Sequence, residues 1–206
     1  MDPTASVTTP FWQIAAKPTK WEVGSDWART FWAPTAVIPS MPMHVRHALP
    51  ADHGAIREAI LLWWTGSRTP EQARELSLLV PPLFLQHFGS TSWIIEDGGQ
   101  LVGFLIGFHS ADHADQAYIH FVGVDPQRRG QGVGRQLYEL FFEQARESGR
   151  TTVKAITSPR NTASIAYHAA LEFTLEPSDT LLDGLPVHTD YDGPGEDRVC
   201  FVRRLR

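Results

Sequence analysis

Residues 124–135 read VDPQRRGQGVGR, and this stretch decides most of what the sequence predicts about the fold. An apolar run typical of a β-strand, residues 117–124, leads into it, and a helical pattern, residues 134–148, follows it. Three glycines at alternate positions let the backbone turn tightly and bring its N–H groups close to a ligand. The start of a helix adds unpaired N–H donors and the positive end of the helix dipole. The stretch therefore predicts a loop that binds a pyrophosphate through its backbone.

The spacing of this loop separates it from two common phosphate loops. A dinucleotide-binding loop reads G-x-G-x-x-G, and a P-loop ends in Gly-Lys followed by Ser or Thr. Here the pattern is Arg129-x-x-Gly132-x-Gly134, and Arg128 and Arg135 add positive charge around it. Six residues of this kind also fit an ordinary strand-to-helix turn, so a second motif is needed to decide.

That second motif follows a short strand-like run, residues 152–157. Residues 161–173 read NTASIAYHAALEF, in which Asn161 is suited to cap the helix that follows. The run is similar to an N-x-x-A-x-x-x-Y-x-x-x-G-F segment, and the two motifs in this order resemble the GNAT acetyltransferases. One position departs from the family, because Glu172 stands where its members usually have Gly.

The resemblance implies acetyl-CoA as co-substrate, no metal, and two central strands that splay apart around pantetheine. By position these strands are residues 117–124 and 152–157, and we expect a β-bulge within residues 121–124, eased by Gly123. Backbone groups of the first strand are implied to pair with pantetheine, and those of the loop to hold the pyrophosphate. The cofactor-binding residues so implied are Val122, Val124, Arg129, Gly130, Gln131, Gly132, Val133, Gly134, Arg135, Asn161 and Tyr167.

Two side chains are the catalytic candidates. Tyr167 falls on the second turn of its helix, where the resemblance implies a tyrosine that protonates the CoA thiolate, and its unperturbed pKa is near 10. The family's usual glutamate position on the preceding strand is occupied by Tyr118. His120 lies two residues on, on the same face of the strand, and is the candidate base, directly or through water. The alternatives are a structural histidine in the cleft wall and a core tyrosine with its hydroxyl at the surface.

Composition limits the class of protein. The 206 residues include 42% hydrophobic and 20% charged residues, which is ordinary for a globular domain. A net charge of −5 argues against a nucleic-acid partner, and no apolar run is long enough to cross a membrane. The single cysteine, Cys200, lies in an apolar run and predicts a buried structural thiol in a reducing, cytoplasmic protein.

Two polar loops have a structural and a functional interpretation. Residues 109–113, rich in His and Asp, lack the spacing of a metal site and predict a solvated loop beside the acceptor. Residues 190–198, DYDGPGEDR, form an acidic segment before the last strand. It fits a solvated loop, and it also fits a rim that attracts a cationic amine.

The chain divides by composition into two parts. Residues 1–42 form an extension rich in Trp and Pro that holds four of the seven tryptophans. We hypothesise that the extension packs loosely on the domain or on a partner subunit, or precedes the native start. Residues 43–206 form the predicted acetyltransferase domain, and a homodimer is left open.

The order of predicted elements is β-αα-βββ-α-β-α-ββ. This order predicts an α/β (α+β) fold with one mixed, mainly antiparallel sheet flanked by helices, as in GNAT enzymes. The leading hypothesis is an N-acetyltransferase acting on a primary amine of a small molecule. The alternatives are a protein or peptide N-acetyltransferase and a non-catalytic sensor that binds acyl-CoA.

Overall fold

The computed structural model of the protein describes residues 43–206, which fold into five α-helices and nine strands. The extension predicted over residues 1–42 lies outside the described residues. The helices are α1 (His53–Trp63), α2 (Pro70–Ser77), α3 (Pro82–Phe88), α4 (Val133–Glu147) and α5 (Thr162–Ala170). The strands are β1 (His44–His47), β2 (Trp93–Asp97), β3 (Gln100–His109), β4 (Gln116–Val124), β5 (Thr152–Thr157), β6 (Thr174–Leu175), β7 (Leu181–Leu182), β8 (Leu185–Pro186) and β9 (Val199–Arg204).

Seven strands form one sheet in the order β1-β2-β3-β4-β5-β9-β6. Every neighbouring pair is antiparallel except β4 and β5, which run parallel and are joined through α4. The predicted mixed, mainly antiparallel sheet flanked by helices is therefore confirmed. The segment between β6 and β9 contains a small separate hairpin, β7–β8.

The sheet has an apolar core on each face. On one face α4 supplies Leu137 and Phe141, both fully buried, against β3 and β4. On the other face α1 supplies Ile56 and Ile60, which pack with Phe104 of β3. Within residues 43–206, no helix is both long and apolar enough to cross a membrane.

Two prolines divide the helical stretch that begins at Pro70. Thr69 caps α2 through its hydroxyl, which accepts a hydrogen bond from the backbone N–H of Gln72. Pro81 is extended, with ψ at 157°, and Pro82 occupies the first turn of α3, where a missing N–H costs nothing. The two prolines therefore separate two helices and do not kink one continuous helix.

The central strands β4 and β5 are paired only at their first residues. Gln116, Ala117 and Tyr118 lie opposite the first three residues of β5, and the ladder ends there. Beyond Tyr118, β4 continues for six residues to Val124 without a partner on its β5 side within the described chain. The predicted splay of the central strands is confirmed, and it leaves backbone hydrogen-bonding groups of β4 facing the gap.

A β-bulge in β4 lies at the point where the strands part. Gly107 of β3 pairs with Ile119 and Ile106 pairs with Phe121, so His120 is the extra residue. The prediction of a bulge within residues 121–124 was wrong. Because an extra residue reverses the alternation of side chains, His120 and Phe121 share one face of the sheet.

Gly123 has a different role from the one expected of it. It pairs in regular register with Phe104, and a Cβ at this position would lie 2.4 Å from Cε1 of the Phe104 ring. The glycine therefore makes room for a buried aromatic ring, while the bulge forms three residues earlier without a glycine.

We expect Gly123→Ala to destabilise the domain by about 1–3 kcal/mol, because the added methyl group must displace a fully buried ring. Chemical denaturation at neutral pH measures this change. Gly54→Ala in α1 is the matched control, since its Cβ would meet no atom within 4 Å. That variant should be neutral or gain up to about 1 kcal/mol from helix propensity. Equal stability of the two variants would contradict the packing role of Gly123.

Candidate active site

The glycine loop, residues 129–135, connects β4 to α4 and has the backbone geometry of an anion cradle. Gly130 and Gly132 have φ values of +77° and +85°, in the left-handed region that favours glycine. Gly132 is also the N-cap of α4, and no side chain caps the helix there. The N–H groups of the first helical turn are therefore available to an anion, at the positive end of a 15-residue helix.

Buried side chains hold this helix start against the sheet. Val133 is 1% exposed and packs on β3 where Gly103 provides space, since a Cβ there would lie 2.7 Å from a Val133 methyl group. Val133 is thus a buried apolar residue within a loop whose neighbouring backbone groups face solvent. Val122 and Val124 lie on the same side of β4 as α4 and contact the core beneath it.

The arginines around the glycine loop differ in what they contact. Arg128 forms an ion pair with Asp97 at the end of β2, which fixes its guanidinium to the sheet. Arg135 lies 3.8 Å from Glu139, one helical turn on, and both side chains are mostly exposed. Arg129 is exposed and has no ion pair within residues 43–206. Arg129 is therefore the arginine of this loop most available to a phosphate.

The helix α5 begins and ends as the second motif requires. The side chain of Asn161 accepts a hydrogen bond from the backbone N–H of Ser164 at 3.2 Å, which confirms the predicted cap. At the other end Glu172 has φ of +62°, the left-handed conformation of a Schellman turn. The N–H of Phe173 closes that turn on the carbonyl of His168 at 3.0 Å. The glutamate therefore adopts the geometry of the glycine that it replaces.

This turn fixes how the second motif aligns with the chain. Counted from Asn161 or back from Phe173, the tyrosine position of the pattern is residue 168, which is a histidine here. Tyr167 precedes it by one residue and so points about 100° away around the helix. A role for Tyr167 must therefore be argued from its own surroundings.

His168 is buried in a satisfied hydrogen-bond network. It is 6% exposed, and its ring stacks on Phe201 with centroids 4.3 Å apart. Nδ1 donates to the carbonyl of Ser164 at 2.8 Å, so the unprotonated Nε2 accepts from the hydroxyl of Tyr138 at 3.1 Å. Burial lowers the pKa of His168, which keeps the ring neutral. This histidine belongs to the core that positions α5.

Tyr167 lies beside the glycine loop. Its side chain is 39% exposed, and its hydroxyl approaches Gly134 so closely that a Cβ there would be 2.6 Å from it. The same Cβ would lie 3.6 Å from a methyl group of Val124. Partial burial raises the pKa of Tyr167, so the hydroxyl stays protonated at neutral pH. The structure thus brings Tyr167, the glycine loop and the end of β4 together.

His120 is held at the bulge, on the opposite face of the sheet from α4. Its ring stacks on Phe84 of α3 with centroids 4.3 Å apart and planes 11° from parallel. Its Nε2 lies 2.6 Å from the carbonyl oxygen of Leu79. A carbonyl only accepts, so Nε2 carries a proton and the neutral ring presents an unprotonated Nδ1. Burial lowers the pKa of His120, while the bond to Leu79 opposes that shift.

Tyr118 and the acidic loop, residues 190–198, lie on the same face as His120. Tyr118 stacks on Phe108 with centroids 5.3 Å apart, and burial raises the pKa of its hydroxyl strongly. Asp192 of the acidic loop acts on the pKa values of both Tyr118 and His120, raising each. The acidic loop, for which the sequence left both a solvated loop and a rim open, also leads into Val199 opposite Thr157 at the end of β5, and it lies near the candidate base.

The other polar candidates lie apart from these groups. In the His/Asp-rich loop His109 contacts Phe141 of α4, and burial lowers its pKa. Among residues 43–206, no group of three or more His, Cys, Asp or Glu is arranged to hold a metal ion. Cys200 is 2% exposed, which confirms the prediction of a buried thiol.

The sequence did not reveal the contacts between α3 and β4. Leu79, in the turn before α3, and Phe84 of α3 lie about 40 positions before His120, and nothing in their spacing indicates that they contact it. Nothing in the sequence distinguished Asp192 from its acidic neighbours as the carboxylate that acts on the pKa values of His120 and Tyr118. The signal in the sequence that points toward these residues is a histidine in the apolar strand that precedes the glycine loop.

Known proteins resemble this chain at the level of family and sequence. A model of the acetyltransferase (GNAT) family matches residues 55–173, more than half of the chain. L-2,4-diaminobutyric acid acetyltransferase from Nocardia farcinica is 34% identical over 89 residues, which are 43% of this chain and 46% of that protein. The enzyme of the same name from Streptomyces coelicolor is 37% identical over 84 residues, 40% of this chain and 49% of that protein. The chain thus matches about half the length of these curated relatives.

Solved structures resemble it in fold. Ard1 from Thermoplasma volcanium superposes with a TM-score of 0.60 at 19% identity, over 81% of this chain and 99% of that one. Diaminobutyrate acetyltransferase EctA from Paenibacillus lautus superposes with a TM-score of 0.56 at 22% identity, over 81% and 96% of the two chains. The family match runs from α1 to the turn after α5 and so includes β4, the glycine loop and the capped helix. The chain therefore belongs to the GNAT acetyltransferase family.

Proposed function

We propose that this protein transfers the acetyl group of acetyl-CoA to a primary amine of a small molecule. The observation that carries the proposal is the parting of β4 from β5 directly beside the glycine loop. The gap offers unpaired backbone groups to the pantetheine amides, and the loop offers N–H donors to the pyrophosphate. A cofactor with a pyrophosphate and an amide-bearing arm matches both features.

The reaction requires few side chains. The neutral amine nitrogen attacks the thioester carbonyl carbon, the carbon–sulfur bond breaks, and the thiolate takes up a proton. In the proposed site the backbone N–H of Val122 stabilises the oxyanion, which is usually the largest single contribution. His120 takes the proton of the amine through its unprotonated Nδ1, directly or through a water molecule.

Tyr167 is proposed both as a contact to coenzyme A and as the acid that protonates the thiolate. Its raised pKa supports a donor role. Its hydroxyl lies at the glycine loop near Val124, which is about 13 Å along β4 from His120. The acid role therefore requires the tyrosine side chain to turn toward the thiolate when the cofactor is bound.

The acceptor class follows from the relatives. The Nocardia and Streptomyces proteins are named for L-2,4-diaminobutyric acid, and the Paenibacillus structure holds L-2,4-diaminobutyric acid and coenzyme A. A short diamino acid is therefore the acceptor that we propose for this protein. Acceptor profiling against peptides carrying a free amine separates this proposal from protein acetylation.

We expect the full-length protein to release free CoA with L-2,4-diaminobutyrate, and His120→Ala to lower kcat about 10²–10⁴-fold because the base is lost. In the wild type kcat should fall on acidification, since the folded pKa of His120 is lowered and only the neutral ring accepts a proton. This acid limb should lie below about pH 6.5 and should be absent in the variant.

His44→Ala on the edge strand β1 is the matched control for loss of a histidine. It should retain wild-type kcat and the acid limb. A His120→Ala enzyme with unchanged kcat would overturn the base assignment. Tight binding of acetyl-CoA with no turnover of any amine would instead favour an acyl-CoA sensor.

We expect Tyr167→Phe to lower kcat about tenfold or more while the KM for acetyl-CoA changes little, because the thiolate loses its proton donor. Steady-state kinetics with acetyl-CoA varied at saturating acceptor measure both constants. A rise in KM with unchanged kcat would overturn the acid role and leave Tyr167 as a cofactor contact.

A further inference from the structure

The acidic loop, residues 190–198, is held in place by its own hydrogen bonds. Backbone bonds between His188 and Arg198, at 2.8 and 3.0 Å, close its base. Asp190 accepts from the N–H of Gly195 at 2.6 Å, and Asp197 accepts from the N–H of Asp190 at 3.0 Å. Two of the four carboxylates therefore fold the loop and are committed to its backbone.

The other two carboxylates share one guanidinium. Arg198 donates to Asp192 from Nε at 3.2 Å and from Nη2 at 3.0 Å, and its Nη2 also lies 2.8 Å from Glu196. One positive charge thus faces two negative ones, so the pair of carboxylates retains negative charge. Both bonds to Asp192 end on Oδ2, and Oδ1 has no hydrogen-bond partner among the described residues.

Asp192 differs from Glu196 in where its charge acts. The acidic loop leads directly into Val199, which pairs with Thr157 at the end of β5 that has parted from β4, so the loop borders the gap. In keeping with this position, the carboxylate of Asp192 raises the pKa values of His120 and Tyr118, on the face of the sheet away from α4. Glu196 is not among the groups that shift either pKa value. The side chain of Asp192 is 46% exposed, so a small molecule in the cleft can reach it.

We propose that Asp192 binds a second ammonium group of the acceptor, so that the site selects short diamines and diamino acids over monoamines. The inference rests on the proposed acetyl transfer, since it concerns the same cleft. The reacting amine must be neutral at His120, whereas the other amine of a diamino acceptor stays protonated. Oδ1 of Asp192 offers that ammonium a charge-assisted hydrogen bond.

The test compares Asp192→Asn with Glu196→Gln in the full-length protein. Each variant removes one carboxylate from the same guanidinium, and each amide keeps an oxygen that accepts from Arg198. Calorimetry with CoA-saturated protein measures binding of L-2,4-diaminobutyrate and of the monoamines L-2-aminobutyrate and 4-aminobutyrate. The same acceptors are then assayed for kcat/KM with acetyl-CoA.

We expect Asp192→Asn to weaken diaminobutyrate binding and to lower its kcat/KM about tenfold, because one half-exposed charged hydrogen bond is lost. In this variant the affinity and the kcat/KM for the monoamines should change less than about twofold. Glu196→Gln should change neither quantity by more than about twofold for any of the three acceptors. Equal losses for diamine and monoamine, or equal effects of the two variants, would overturn the proposal.

Measuring acceptor binding as well as turnover distinguishes failure of this inference from failure of the proposed reaction. If diaminobutyrate binds in an Asp192-dependent way but no acceptor is acetylated, the ammonium site stands and the proposed transfer falls. If transfer occurs and Asp192→Asn leaves the preference for diamines unchanged, the transfer stands and the ammonium site falls.

Discussion

The extra residue in β4 is the constraint on which the rest of the site depends. Without His120 as a bulge, side chains along β4 would keep one alternation, and Phe121 would point toward α4. The extra residue reverses that alternation, so Val122 and Val124 face α4 while His120 and Phe121 face α1 and α3. It also coincides with the end of β4–β5 pairing. One irregularity thus opens the gap between the strands and orients the candidate base.

The position of helix α5 likewise depends on buried contacts. Its position is set by His168, which is neutral, stacked on Phe201 and hydrogen-bonded to Tyr138. The turn after it holds Glu172 in the left-handed region, which costs about 1 kcal/mol or more relative to glycine. Its carboxylate lies 3.0 Å from Arg203 of β9, which offsets part of that cost. Tyr167 reaches the glycine loop because these buried contacts fix the helix that carries it.

Much of this arrangement was predictable from the sequence, and the reasons are local. The glycine loop depends on positive φ at Gly130 and Gly132, and the α5 cap depends on one side chain bonding three residues along. The bulge was misplaced because a glycine is a visible signal for irregular strands, whereas Gly123 serves packing and the bulge uses a histidine. The contact of His120 with Leu79 spans 41 residues and has no local signal. Local rules therefore predicted the glycine loop and the cap of α5, whereas tertiary contacts decide the surroundings of His120 on the proposed acceptor side.

Two opposing electrostatic effects would act on an amine bound near His120. Burial beside Phe84 lowers the pKa of His120 and favours neutral groups near it, including the neutral form of a bound amine. A carboxylate has the opposite effect: at about 8 Å and an effective dielectric constant of about 20, it stabilises an ammonium by roughly 2 kcal/mol. A carboxylate touching the reacting amine would hold it in the unreactive form. Because Asp192 is carried on a separate, half-exposed loop, the proposed ammonium contact would hold one amine of a diamino acceptor while the apolar surroundings of His120 favour loss of a proton from the other.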